Sequence, residues 1–257
     1  MSQFVAPLPM PSPDWALFLD FDGTLVELAP TPDEVRIPSE LPDILKRLSA
    51  VLNGAVALVS GRKLSDLDHF LSPLNLPVAG QHGAELRGAD VGAQTFAPIH
   101  GVAPLLPAIE EFAARRPGLL LEAKGFSVAV HYRKAPAYQD ELRDFLASLV
   151  AGHPGGLETI QGHSVLEIKP RAMNKGLAVR RFMEGPPFHG RFPVFIGDDR
   201  TDEDGFHAAL SFGGAAIKVG LGGESLAPAH IADPAATRRW LLHVCDALSQ
   251  STHLGAR

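Results

Sequence analysis

Residues 15–19, Trp-Ala-Leu-Phe-Leu, are five apolar residues in a row, and the chain continues Asp20-Phe-Asp-Gly-Thr-Leu25. A short apolar run closed by a glycine turn reads as a strand buried on both faces, the kind found inside parallel sheets. Successive strand side chains point to opposite faces. Asp20 and Asp22 can therefore share a site only where the chain is leaving strand geometry, and Gly23 supplies the bend. Close carboxylates repel, and desolvation worsens it, so the pair implies a cation, a shared proton, or both. That suggests phosphoryl transfer through an aspartyl nucleophile. Alone, Asp-x-Asp-Gly reads equally well as a plain turn, or as part of a calcium loop whose distant glutamate is missing here.

Further short apolar runs at 55–59 and 192–196 alternate with helical spacing at 41–52 and from about 174 to 183. This alternation predicts an α/β fold, an open parallel sheet covered on both faces. The middle of the chain differs. A helical segment near 103–115 is followed by alternating runs at 119–124 and 126–132, a helix at about 137–150, and strands around 157–161 and 165–169. Period-two alternation points to a half-exposed antiparallel sheet. Residues 101–171 are accordingly expected to form an α+β module inserted into a core made of 14–100 and 172–250. Residues 1–13, with four prolines and no basic residue, are expected to be a disordered leader rather than a signal peptide.

The 257 residues carry a net charge of −6 and no run of five or six like charges, which disfavours nucleic-acid binding. No apolar stretch approaches the roughly 18–20 residues that span a bilayer. The single cysteine, Cys245, excludes an internal disulfide and a thiolate metal cluster, and its helical surroundings make it a core thiol. Together these features point to the cytoplasm. The histidines show no zinc spacing.

Four polar segments lie at the ends of predicted core strands or open the helix that follows: Asp20-Phe-Asp-Gly-Thr24, Ser60-Gly-Arg62, Asn174-Lys-Gly176 and Gly197-Asp-Asp-Arg-Thr-Asp202. Each alone is a turn, a helix entry or a solvated lysine. In doubly wound sheets, however, ligands bind outside the carboxyl ends of the strands, so four such segments can converge on one pocket.

In this order the segments resemble the motifs of the haloacid dehalogenase-like phosphatases, and more narrowly of the trehalose-6-phosphate phosphatases. Gln81-His-Gly-Ala-Glu-Leu86, the run from Leu121 to Arg133, Val165-Leu-Glu-Ile-Lys-Pro170 and the acidic stretch from Gly197 to Asp204 also look like that family's. The likeness extends from Trp15 to about Leu242. It implies a Rossmann-like, doubly wound core carrying a cap, and hydrolysis of trehalose 6-phosphate with Mg²⁺. It also suggests a functional link to a trehalose-6-phosphate synthase.

By this resemblance Asp20 is the nucleophile, and Asp22 is the acid for the leaving hydroxyl and then the base for water. Lys175 offsets transition-state charge. Ser60, Gly61, Arg62 and Thr24 are grouped around the phosphate, Arg62 being nearly as readable as a surface ion pair. Asp20, Asp198 and the backbone carbonyl of Asp22 are expected to hold the metal, with Asp199 and Asp202 orienting Lys175 or metal-bound water from behind. Glu122, Lys124 and Glu167 would grip the sugar, joined more loosely by His131 and Arg133. Without the resemblance, these charges read as the solvated face of a sheet. Three rivals stay open from sequence: a phosphatase of sucrose 6-phosphate or another sugar phosphate, a phosphotransferase, and a sensor that binds without turnover.

Overall fold

The computed structural model describes residues 6–88, 94–95, 101–162 and 164–254. Its strands, numbered along the chain, are β1 (Trp15–Leu19), β2 (Val56–Val59), β3 (Val78–Gly80), β4 (Glu85–Arg87), β5 (Gln94–Thr95), β6 (Leu120–Ala123), β7 (Val128–His131), β8 (Leu157–Gly162), β9 (Val165–Pro170), β10 (Phe192–Gly197), β11 (Ala215–Val219) and β12 (Ala229–Ile231). The helices are α1 (Leu41–Val51), α2 (Leu64–Leu71), α3 (Leu106–Ala114), α4 (Gln139–Ala151), α5 (Lys175–Met183), α6 (Asp202–Ser211) and α7 (Pro234–Leu254). The chain divides into two compact units, the described residues up to Gln94 with those from Lys175 on, and Thr95–Asn174. The second is wider at both ends than the module expected at 101–171.

In the first unit the sheet order is β12-β11-β10-β1-β2-β3-β4-β5. From β12 to β3 all neighbours are parallel, and β4 returns antiparallel to β3. The apolar run of β1 serves two layers at once. Trp15, Leu17 and Leu19 pack with α1, α2 and α7, whereas Ala16 and Phe18 pack with α5 and α6. Each fully buried Leu or Phe contributes roughly 1.5–3 kcal/mol, which ties β1 to the centre of the sheet. Cys245 lies in the first layer, where burial pushes its thiol up to about 11, in keeping with a core thiol.

The second unit has an antiparallel sheet, β6-β7-β9-β8. Val128, Val130, Leu166 and Ile168 turn one face towards α3 and α4, represented by Ile109, Phe112, Leu142 and Leu146. The opposite face carries charge. Pro107 sits in the first turn of α3, where a missing N–H costs no hydrogen bond.

The described part of the leader, residues 6–13, makes contacts with the first unit. The amide of Ala6 donates to the Pro228 carbonyl at 2.8 Å, Leu8 packs on the core, and Arg191 bonds the Pro13 carbonyl at 2.8 Å. Residues 1–5 of the leader and the expected core boundary at 100 lie outside the described residues. Among the described residues no helix is long and apolar enough to cross a membrane.

Candidate active site

β1 and β10 run side by side, Leu19 beside Ile196, and so end together. β2 flanks β1 on the other side, so strand order reverses at β1, the position at which open α/β sheets bind ligands. Beyond Leu19 the amide of Asp20 still donates to the Ile196 carbonyl at 2.9 Å. The chain then curls: the amides of Leu25 and Val26 turn back to the Phe21 carbonyl, at 2.9 and 3.1 Å. Gly23 is required twice over. Its φ is +76°, and a Cβ there would lie 2.2 Å from Oδ2 of Asp198. The same crowding excludes a side chain at Gly197, where a Cβ would come within 2.1 Å of the Asp202 carboxyl carbon.

Lys175, 3% exposed, donates from Nζ to Asp20 Oδ1 at 2.8 Å and to Asp202 Oδ1 at 2.7 Å. A cation opening a helix opposes the helix dipole; α5 begins with one because two buried carboxylates receive it. Burial works against its charge, but Asp20 and Asp202 outweigh that and hold the ammonium well above the usual lysine range. Asp202 Oδ2 accepts the amides of Asp198 and Asp199, each at 3.0 Å, so both of its oxygens are engaged. Asp199 Oδ1 accepts the amide and hydroxyl of Thr201 at 2.8 and 2.7 Å. Burial raises the Asp199 carboxyl, yet Lys175 and the Thr201 bonds outweigh it and leave it below its ordinary value.

Asp20 and Asp198 are in the opposite state. Burial, resisted by Lys175 and aided by Asp198, lifts Asp20 to about 8. Burial together with Asp202 and Asp199 lifts Asp198 to about 7. The Thr24 hydroxyl lies 3.3 Å from Asp20 Oδ2 and 3.1 Å from Asp198 Oδ1, and one hydroxyl proton cannot serve both. Thr24, grouped with the phosphate from sequence, is thus seated on the carboxylates.

Carboxylate oxygens of Asp20, Asp198 and Asp202 lie within 4.8 Å of one another. Asp202 is already committed to Lys175 and two amides, so Asp20 and Asp198 are the pair with capacity for a cation. The four carboxylates of this cluster face the ammonium of Lys175, and Lys218 bonds the Asp198 carbonyl at 2.9 Å. Two more positive charges would neutralise the group, and an all-oxygen set suits a hard divalent ion. The donor set therefore fits a divalent metal.

The segment after β2 is braced from β3. Gln81 and His82 take left-handed φ values of 46° and 56°, unusual without glycine. That turn lets their amides donate to the Arg62 carbonyl at 2.8 Å and the Ser60 carbonyl at 3.0 Å. Glu85 caps α2 by accepting the Leu64 amide at 2.7 Å. Ser60 is buried and its Oγ accepts the Arg62 amide at 3.2 Å. A Cβ on Gly61 would meet the His82 ring at 2.9 Å, so the glycine lets the turn close. The Arg62 guanidinium, placed near the phosphate from sequence, forks onto Asp22: Nε to Oδ2 at 2.6 Å and Nη2 to Oδ1 at 2.8 Å.

In the second unit the charged face of the sheet collects the sugar candidates. Glu122, Ala129 and Glu167 lie in one cross-strand row. Glu122 meets His131 at 2.9 Å, and Lys124 meets Glu167 at 3.3 Å. Burial raises the Glu122 carboxyl, but His131 and Lys124 prevail and hold it below its ordinary value. Arg133 lies past the end of β7, in the turn. The sequence reading missed Lys169, on the same face two residues beyond Glu167, which bonds Glu158 and the Met173 carbonyl, both at 2.6 Å. It also missed Lys218. For Lys218 the available signal is a lysine inside an otherwise apolar strand, and for Lys169 a lysine two residues from Glu167 on one strand.

Residues 18–225 match the family model described as trehalose-phosphatase. A trehalose-6-phosphate phosphatase of Escherichia coli K12 is 40% identical over 225 residues, 86% of this chain and 84% of its own. A probable trehalose-phosphate phosphatase of Sinorhizobium fredii is 43% identical over 219 residues, covering 84% and 82%. The crystal structure of a trehalose-6-phosphate phosphatase related protein aligns with a TM-score of 0.76 at 26% identity, over 91% of this chain and 99% of that one. The chain belongs to the trehalose-phosphatase family.

Proposed function

We propose that this protein hydrolyses trehalose 6-phosphate to trehalose and inorganic phosphate through an aspartyl-phosphate on Asp20. One observation carries the reading: buried Asp20 has one oxygen held by Lys175 and the other turned, across Thr24, towards Asp198. An oxygen of Asp20 attacks phosphorus, and the bond from phosphorus to the sugar oxygen breaks with its electron pair going to that oxygen. A sugar alkoxide is too basic to leave unprotonated, so Asp22 delivers a proton to it. Water then gives its proton to Asp22 and attacks phosphorus. The bond to Asp20 breaks, phosphate departs and the carboxylate is restored.

Lys175 balances charge on Asp20 and on the phosphoryl oxygens. The Ser60 hydroxyl and the Gly61 amide are offered to the phosphoryl group. Asp20, Asp198 and the backbone carbonyl of Asp22 would hold Mg²⁺, which when bound neutralises phosphoryl charge and aligns the attack. Asp199 and Asp202 fix Lys175 and the Asp198 loop from behind. The first unit is read as the catalytic core and the second as the cap that selects substrate, through Glu122, Lys124 and Glu167 with His131 and Arg133. A synthase that makes the sugar phosphate would supply the substrate, making this the last step of trehalose biosynthesis, in the cytoplasm.

Initial rates of phosphate release with Mg²⁺ test the reading, on trehalose 6-phosphate, sucrose 6-phosphate, glucose 6-phosphate and p-nitrophenyl phosphate. A strong preference for the first is expected. Equal rates on all four would remove the sugar assignment, and no release at saturating substrate would remove the hydrolase.

A further inference from the structure

Arg62 reaches Asp22 along a fully specified path. Its backbone is fixed on both sides of the peptide, the amide to Ser60 Oγ and the carbonyl to the Gln81 amide. A Cβ on Gly80 would stand 3.0 Å from that same carbonyl, so the strand leaves room for it only as glycine. The side chain, 12% exposed, runs past stacked aromatic rings, with the guanidinium carbon 5.1 Å from the centre of Phe70 and 5.9 Å from that of Phe21. Such contacts hold the plane of a guanidinium. The plane ends in the two-point fork on Asp22, whose side chain is 30% exposed.

We propose that Arg62 is a positioning residue for Asp22 and not a ligand of the phosphate. The inference rests on the reading of Asp22 as the group that moves the proton. A carboxylate at the mouth of a site would otherwise sample several rotamers. The fork and the two rings commit it to one place, and transfer needs it within hydrogen-bond reach of the leaving oxygen. A fork of this kind takes one lone pair from each carboxylate oxygen and leaves another on each, so Asp22 stays on Arg62 while it works. Lysine cannot replace this geometry: it is a point charge without a fork.

The test is leaving-group dependence. A p-nitrophenolate departs without a proton, whereas a sugar alkoxide does not, and kcat/KM excludes the later hydrolysis of the phosphoenzyme. In Arg62→Gln and Arg62→Lys, the ratio of kcat/KM for trehalose 6-phosphate to that for p-nitrophenyl phosphate should fall by about 10- to 100-fold. In Asp22→Asn the same ratio should collapse, and adding Arg62→Gln to it should lower it no further. Parallel loss on both substrates with raised KM would make Arg62 a phosphate ligand and overturn the proposal. So would an unchanged ratio in Arg62→Lys, the variant kept in case Arg62→Gln folds poorly. If Asp22→Asn itself keeps the ratio, the proton-transfer role of Asp22 fails first, and the inference with it.

Discussion

The two units both gather charge, and they do so in opposite ways. Around Asp20 the carboxylates sit at the buried end of a parallel sheet, where burial moves Asp20 and Asp198 far from their ordinary values. On the second unit's sheet the charges occupy one face in pairs, Glu122 with His131 and Lys124 with Glu167, and the other face carries the apolar layer. Unbalanced buried charge is costly to fold around and is suited to chemistry on a charged group. Paired charges on a sheet face present donors and acceptors together, which suits recognition of hydroxyls. The contrast says where mutation should remove turnover and where it should only change preference.

The sharpest separation comes from Asp20→Asn. It removes the proposed nucleophile while keeping the shape of the side chain, so turnover should drop by at least about a thousandfold on every phosphate ester. The melting temperature should hold or rise, because a strained buried carboxylate has gone. Phosphate assays beside thermal melts check both, and appreciable residual turnover would take the nucleophile role from Asp20.

Removing the cation from each region compares their buried pairs. Lys175→Met leaves Asp20 and Asp202 facing each other without an ammonium, and should cost about 3–5 kcal/mol of stability as well as turnover. Lys124→Met leaves Glu167 on a sheet face already supplied with other charges, and should cost less. Urea unfolding of the two variants gives the order; equal losses would erase the distinction between the regions.

Glu122→Ala is the selective counterpart. It should lower kcat/KM for trehalose 6-phosphate by about 10- to 100-fold, and hardly affect p-nitrophenyl phosphate. The partly buried pair with His131 contributes on the order of 1 kcal/mol to stability, so the fold should be only slightly affected. Steady-state kinetics on both substrates decide it, and equal losses would move Glu122 out of sugar recognition.

Much of the fold is legible in the sequence, for identifiable reasons. The run 15–19 is apolar on both parities, which only a strand between two layers explains, and it became β1. The segments at Asp20, Ser60, Lys175 and Asp198 all belong to strand ends or helix starts in the first unit, as their contexts implied. What escaped was short or distant. β3 has three residues, too few to show a period, and the left-handed φ of Gln81 and His82 has no marker in residue type. Arg62 and Asp22 are 40 residues apart and Lys218 is 20 from the carbonyl it holds, so no local pattern joins them. Asp202, expected behind the site, has both oxygens engaged, one by Lys175 and the other by the amides of Asp198 and Asp199, links that no local pattern shows.

The smallest effect follows from the shifted carboxyls, and its sign can be worked out. Burial pushes Asp20 up to about 8 and Asp198 up to about 7 in the metal-free fold, against about 3.9 in an unfolded chain. Between those values the folded state binds more protons than the unfolded one. The contribution of these two groups to the stability of the metal-free protein is therefore fully present below about pH 4 and is lost as pH rises to about 8. A divalent cation competes with those same protons, so it should bind more tightly at pH 8 than at pH 6. Chelation should accordingly lower the melting temperature by a few degrees at pH 8 and by less at pH 6, with Mg²⁺ restoring it. The Glu122 carboxyl on the second unit's face is held below its ordinary value, so its contribution has the opposite sign and is lost as pH falls. A chelation effect of equal size at both pH values would mean that protons and metal do not share the Asp20–Asp198 pair, and the cation would have to be held elsewhere.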